Sequence, residues 1–230
     1  MNSPYLLLLE GSGAHCSVAV SKGDEVMSLR ETKKPFSHSE AITLLIGDAL
    51  RDAGLSLPDL SAVVISAGPG SYTSLRVTTS TAKGICYALA KPLVTLPSLL
   101  TLADGMRRQA LPDAANCLLA PMIDARRKDV YLAWYTPDLE VIRKEELVTL
   151  DPAVLEFAVG KTVLVGGSGE EKVLELLGAG AVRPTGVRAS ATHLASLGYR
   201  YFQQDLFADL ASFAPRYITA PNITRPRKKL

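Results

Sequence analysis

Gly68-Pro69-Gly70-Ser71-Tyr72-Thr73 joins a β-rich run at 62–66 to a helical pattern, and Arg76 lies one turn into that pattern. At such a junction the first backbone N–H groups of the helix have no intrahelical acceptor, and the helix dipole favours an anion there. Arg76 would add a charge-assisted contact to a phosphate or carboxylate. The plainer reading is a tight turn whose glycines solve a backbone problem beside a solvated arginine. It carries more weight, because the loop lacks the lysine and spacing of a P-loop and is not G-x-G-x-x-G. Glu10, with Gly11 and Ser12 in the turn after it, ends the first apolar run at a position from which a carboxylate could organise magnesium and phosphates. Its extra methylene relative to aspartate displaces that carboxylate, and magnesium demands near-ideal geometry. Asp124 ends an apolar run in the second half of the chain, but Arg126 and Arg127 follow it where glycines would be expected. It reads equally well as a turn residue.

Other chemistry finds little support. His15, His38 and His193 are far apart, with no second histidine at helical spacing and no H-E-x-x-H, so a metalloenzyme site is not indicated. There is no G-x-S-x-G elbow. Cys16, Cys86 and Cys117 form neither a C-x-x-C pair nor a disulfide framework, which fits a reducing compartment. Gly166-Gly167-Ser168-Gly169 precedes two glutamates that would repel a phosphate, so it reads as a linker turn. The 25 basic and 23 acidic side chains give a formal +2, too small a field to announce nucleic acid or membrane by itself. Thr224-Arg225-Pro226-Arg227-Lys228-Lys229 is locally basic and suits either a solvated terminus or RNA phosphates. With no signal-peptide pattern and no apolar run of spanning length, the expectation is a soluble, cytoplasmic protein.

These residues must be positioned by elements that can be read from periodicity. Tyr5 to Leu9, Cys16 to Ser21 and Val26 to Arg30 are strand-like. Ser37-His38-Ser39-Glu40 has capping-box spacing ahead of a helix that Gly54 closes. A strand at 62–66, a helix ending before Pro92, a strand at 93–96 and a helix at 98–109 complete the first half. The second half repeats the order. Strands are expected at 117–123, 130–135 and 141–150, a helix at 153–159 after Asp151-Pro152, a strand at 162–165, a helix at 170–177, and one or two helices over 190–209. Topology that repeats without sequence repetition predicts a duplicated α/β protein. Each half would be a mixed five-stranded sheet flanked by helices, an actin-like arrangement of two ribonuclease-H-like subdomains at 1–109 and 116–230.

The chain resembles the TsaB (YeaZ) family along nearly its full length. The resemblance is carried by Leu8-Leu9-Glu10-Gly11-Ser12, Cys16-Ser17-Val18-Ala19-Val20, Phe36-Ser37-His38-Ser39-Glu40, Gly68 through Arg76, Ile123-Asp124-Ala125-Arg126 with Val130-Tyr131, and Pro215-Arg216-Tyr217. It implies an actin-like fold and a non-catalytic subunit in the synthesis of threonylcarbamoyladenosine next to the tRNA anticodon. The implied partners are a TsaD-like transferase, which binds the metal and performs the transfer, and a TsaE-like ATPase, with tRNA reached through the complex. Pairing is implied through the first two helices, about 39–53 and 73–90, where His38, Ile42, Leu45, Thr79, Ser80 and Lys83 are candidate interface residues. A homodimer through the same surface is the implied state without the partner. No intrinsic cofactor is implied, with ATP or ADP confined to the partner interface. The family usually has Asp-Thr-Ser where Glu10-Gly11-Ser12 stands, and glycine at Ser74, so ATP turnover by this chain alone is not expected. The competing reading is an ATP-dependent phosphotransferase of the sugar-kinase superfamily, working through the loop at 68–76 and Asp124.

Overall fold

The computed structural model describes residues 3–35, 37–110, 116–178, 180 and 182–219. The basic run at 224–229, Phe36 and nearly all of the expected subdomain boundary at 110–115 lie outside the described residues. The leucines of β1 (Tyr5–Glu10) alternate between two separate apolar clusters. Leu7 and Leu9 face one side of the sheet and Leu6 and Leu8 the other, all fully buried. A strand apolar on both faces must be covered on both. Here β1 is the centre of a five-stranded sheet, with β2 (Ser17–Lys22) and β3 (Glu25–Glu31) antiparallel on one side. On its other side, β4 (Ala62–Ser66) and β5 (Leu93–Leu96) run parallel to it. The order is β3-β2-β1-β4-β5. The second sheet repeats the same plan around β6 (Cys117–Asp124). The strands β7 (Asp129–Tyr135) and β8 (Val141–Thr149) are antiparallel to one side, and β9 (Thr162–Gly166) and β10 (Arg183–Pro184) are parallel to the other. The duplication expected from element order is therefore a duplication of sheet topology.

Helices α1 (His38–Asp52) and α2 (Tyr72–Leu89) cover one face of the first sheet, with Ile42, Ile46, Ala49, Ala82 and Cys86 meeting Leu7, Leu9, Val63 and Ile65. The helices do not sort by halves of the chain. Helix α3 (Ser98–Ala110) packs Leu99, Leu102, Ala103 and Met106 on Leu119, Ile123 and Leu164 of the second sheet. In exchange, the 3-10 turn Ala191–Leu194 and α5 (Ala195–Gln203) bring Ala191, Leu194, Ala195 and Leu197 against Leu6, Leu8 and Val64 of the first. Each half thus lends the other an apolar layer, and neither sheet is fully covered by its own segment. The outer face of the second sheet is closed by α4 (Glu170–Leu177) and the segment Pro152–Ala158.

Several local expectations are corrected. Pro152–Ala158 is 3-10 rather than α-helical, and the last helix ends at Gln203 rather than near 209. The capping box at Ser37 does not form. Ser37 is the residue before α1, but its hydroxyl donates to the Lys34 carbonyl at 2.8 Å, which ties down the preceding turn instead of the helix. The two-residue β10 and the 3-10 turn Leu57–Asp59 are too short to leave a periodic trace.

Candidate functional site

The turns at the C-terminal ends of β1, β4 and β6 open on one cavity of about 610 Å3 between the two sheets. Ser12, Gly70, Ser71, Tyr72 and Thr73 line one wall, Asp124, Arg126, Tyr131 and Ser168 the other, and Arg216, Tyr217 and Thr219 run along it. The duplicated topology brings the two candidate carboxylates to corresponding strand ends, yet each is already engaged within the protein.

Glu10 is 1 % exposed and its Oε1 accepts the Ser12 backbone N–H at 2.6 Å and the Ser66 hydroxyl at 2.9 Å. Burial pushes its carboxyl above the ordinary range, and the bonds from Ser12 and Ser66 oppose that shift. It braces β1 to β4 instead of projecting into the cavity. Gly11 has a physical reason too. A side chain there would collide with the Thr78 side chain of α2. Across the cavity, Asp124 Oδ1 is 2.5 Å from Lys172 Nζ and accepts the Arg126 N–H at 2.6 Å. The Lys172 ammonium also donates to the Asp129 carbonyl at 3.0 Å, so the pair is locked into the β6–β7 turn. Glu10 is buried and turned away from the cavity, whereas Asp124 is paired with Lys172 through Oδ1 and keeps its side chain 46 % exposed on the cavity wall. Among the described residues there is no group of three or more His, Cys, Asp or Glu side chains placed to hold a metal.

The loop at 68–76 is built tightly. Gly68 has φ 107°, and a side chain there would strike the Arg216 carbonyl; the Gly68-Pro69 peptide is cis. A Cβ on Gly70 would lie 2.7 Å from the Ser12 Cβ, so this glycine lets two turns touch. Ser71 N–H donates to the Ser12 carbonyl at 3.0 Å. The Ser71 hydroxyl meets that of Ser74 at 2.9 Å, and Ser74 in turn meets His38 Nδ1 at 3.2 Å. Ser74 thus links the start of α2 to the start of α1. Burial holds His38 below the usual imidazole range, so it stays neutral. The Arg76 guanidinium stacks over the Tyr72 ring, 4.8 Å from its centroid, and Tyr72 packs on Tyr217 at 4.7 Å. Arg76 is therefore held by rings beside the loop.

Sequence reasoning did not single out the segment that crosses the cavity. Arg216 N–H donates to the Ala67 carbonyl at 2.7 Å, and its guanidinium pairs with the buried carboxylate of Glu145 on β8. Thr219 Oγ1 meets the Tyr131 hydroxyl at 2.7 Å. The Pro215-Arg216-Tyr217 run was the available signal, but spacing alone does not say which strand it meets. Gly166–Gly169 behaves as a turn, with Glu170 directed away from the cavity to accept the N–H groups of Thr185 and Gly186 at 3.0 and 2.9 Å.

Of the candidate interface residues, His38, Ile42 and Thr79 are 2–4 % exposed and face the protein's own core. Lys83 donates to the carbonyl of Phe213 at 3.0 Å, and so ties down the C-terminal segment. At helical period these positions fall on the inward face. The outward face is instead Leu44 (70 % exposed), Gly47, Ser80, Gly84 and Tyr87 (85 % exposed), with Leu45 partly buried beneath. Side chains added at Gly47 and Gly84 would meet nothing within 4 Å, so the protein's own packing does not require glycine at either position. Beside them Ile46, Leu50, Leu55 and Ile85 line an apolar groove of about 540 Å3.

A family model described as TsaD, tRNA N6-adenosine threonylcarbamoyltransferase, matches residues 32–226. The tRNA threonylcarbamoyladenosine biosynthesis protein TsaB of Escherichia coli is 30% identical over 152 residues, covering 62% of this chain and 64% of that protein. The aligned part thus spans somewhat less than two thirds of that relative's length. Among solved structures, YeaZ from Pseudomonas aeruginosa overlays with TM-score 0.76 at 21% identity, covering 93% of this chain and 99% of that one. The activator of the 2-hydroxyisocaproyl-CoA dehydratase from Clostridium difficile overlays with TM-score 0.55 at 8% identity, covering 88% and 97%. Such overlap, with the duplicated sheets, makes this the actin-like fold expected from the pattern. No helix among the described residues is long and apolar enough to cross a membrane.

Proposed function

The chain belongs to the TsaD, or tRNA N6-adenosine threonylcarbamoyltransferase, family, and from that premise we propose that it is a non-catalytic subunit in the formation of threonylcarbamoyladenosine in tRNA. In this reading it pairs with a TsaD-type transferase, a TsaE-type ATPase joins the complex, and tRNA is met through the complex in the cytoplasm. The observation that carries the reading is the outward α1–α2 face. It exposes Leu44 and Tyr87 over two glycines that its own packing does not require, beside an apolar groove. Apolar anchors beside small residues suit close helix-to-helix contact with a partner. In the absence of the partner, a second copy would use the same face, as isologous dimers do.

The burial of Glu10 against Ser12 and Ser66 supports an accessory role over the phosphotransferase alternative, since it takes the first-strand carboxylate out of the cavity where a kinase would use it. We assign the chain no intrinsic cofactor; ATP or ADP belongs to the interface with the partner. The test is light-scattering size exclusion of the chain alone and mixed with the TsaD-type protein of the same organism, with and without ATP. Wild type should form a stable mixed complex. Ser80→Glu and Gly84→Glu, both on the exposed face, should abolish it with the unfolding midpoint within a few degrees of wild type. No complex under any nucleotide condition would sink the proposal.

A further inference from the structure

We propose that segment 208–219 is a releasable strap. It stays bound to the first sheet and its helices and lets go of the second sheet at Arg216 and Thr219, which opens the cavity between the two. The inference concerns this chain alone and does not rest on the subunit reading.

The two sheet layers are joined in other ways as well. The chain crosses from the first layer to the second between β5 and α3, and it crosses back at 188–190, ahead of the turn Ala191–Leu194. The first crossing is pinned next to the cavity: Ser98 N–H donates to the Gly68 carbonyl at 2.9 Å, and Ser98 Oγ accepts the Gly68 N–H at 3.0 Å. Leu100 and Leu139 each pack on the apolar clusters of both layers. These joints stay closed when the strap lets go, so they are where the layers would hinge. Segment 208–219 is a further bridge, and its Arg216, Tyr217, Ile218 and Thr219 line the cavity itself.

The two ends of that bridge are held by different forces. On the first sheet, Ala208 N–H donates to the Leu93 carbonyl of β5 at 2.8 Å, and Leu210 and Phe213 pack on the cluster around Leu7 and Val63. Lys83 of α2 donates to the Phe213 carbonyl at 3.0 Å, Arg216 N–H reaches the Ala67 carbonyl at 2.7 Å, and Tyr217 lies on Tyr72 at 4.7 Å. Apolar burial and backbone hydrogen bonds therefore fix this end.

To the second sheet, the segment makes two hydrogen bonds or ion pairs among the described residues, both between side chains. Arg216 pairs with Glu145 of β8, and Thr219 Oγ1 meets the Tyr131 hydroxyl of β7 at 2.7 Å. The Arg216 side chain is 59 % exposed and that of Glu145 only 6 %. Water already solvates the guanidinium, so the pair gains little on that side. Release brings water to the carboxylate as well, which spares it the cost of a buried charge left alone. The weak end of the strap is thus the one at the cavity.

Pulsed electron resonance between two nitroxide labels measures the opening in the full chain. Ser39→Cys on α1 and Val159→Cys in the second half place both labels on exposed positions, while Cys16, Cys86 and Cys117 are buried and should escape labelling. Tyr131→Phe with Glu145→Gln removes one hydroxyl bond and one charge with little change of shape. In that variant the population at a longer label-to-label distance should rise about tenfold, with the near-UV circular dichroism of wild type retained. Thr219→Val, a milder change, should raise it about threefold. Lys83→Met, at the strong end, should leave the distances as they are. An unchanged distribution in both of the folded latch variants would overturn the proposal. A longer distance in Lys83→Met matching that of the latch variants would overturn it too, because the strap would then be letting go of the first sheet.

Discussion

Replacing Glu10 separates an internal brace from a ligand-binding acid. In the folded chain its Oε1 accepts two hydrogen bonds, from Ser12 N–H at 2.6 Å and Ser66 Oγ at 2.9 Å, with 1 % of the residue exposed. Glu10→Ala leaves both buried donors without an acceptor, at roughly 1–3 kcal/mol each, and opens a small cavity. A loss of about 4 kcal/mol follows, or roughly 8–16 °C in the unfolding midpoint for a chain of this size. Glu10→Gln keeps the acceptor oxygen and should stay within about 1 kcal/mol of wild type near pH 7. The pH dependence has a definite sign. Burial raises the native carboxyl above the ordinary 4.5, so the folded state binds the proton more tightly than the unfolded state. This contribution to wild-type stability is present in full below the unfolded pKa and is lost as pH rises through the raised native value. The glutamine variant has no such slope, so it gains on wild type between about pH 4 and neutrality. Urea unfolding at pH 4.5, 6 and 8 measures both effects, alongside reconstituted tRNA modification. If Glu10→Gln folds, pairs with the partner and yet abolishes modification, Glu10 acts on a ligand and the brace argument is wrong.

The remaining expectations concern packing, charge and pH. Gly11→Thr should destabilise by about 1–3 kcal/mol through collision with Thr78, and Thr78→Ala in the same chain should restore most of the loss, as a double-mutant cycle in denaturant will register. Arg216→Ala leaves Glu145 without its partner; because the arginine is more than half exposed, the cost is about 1–2 kcal/mol, and Glu145→Gln added to it should recover stability. His38 and His193 are both held below the ordinary imidazole range by burial, so their contribution to stability should be full above about pH 6.5 and be lost as acid protonates the unfolded chain first, opposite in sign to the contribution of Glu10. Thermal midpoints at pH 7.5 and 5.5, compared between wild type and His38→Gln, check this, and the variant should lose less stability in acid than wild type does.

Much of the architecture was legible in one dimension. The apolar run at Leu6 to Leu9 announced a strand, and the order of strands and helices announced the duplication, because periodicity is a local property of the chain. The loop at 68–76 was likewise legible as a tight strand-to-helix junction. What the sequence could not show was where each side chain's partner lies. Glu10 is braced by Ser66, 56 residues away, and Asp124 is paired with Lys172, 48 residues away. Both looked like candidate ligands until the fold brought those groups within hydrogen-bonding distance. The capping signal at Ser37 failed because the turn before α1 offered its hydroxyl a nearer acceptor. Which face of α1 and α2 looks outward was decided by the helices' rotation against β1 and β4, and that rotation turned Thr79 inward and left Ser80 and Gly84 in solvent. The exchange of α3 and α5 between the sheets has no local signature at all. Each is an amphipathic helix, and only the pairing of two half-covered sheets determines which apolar face buries which helix.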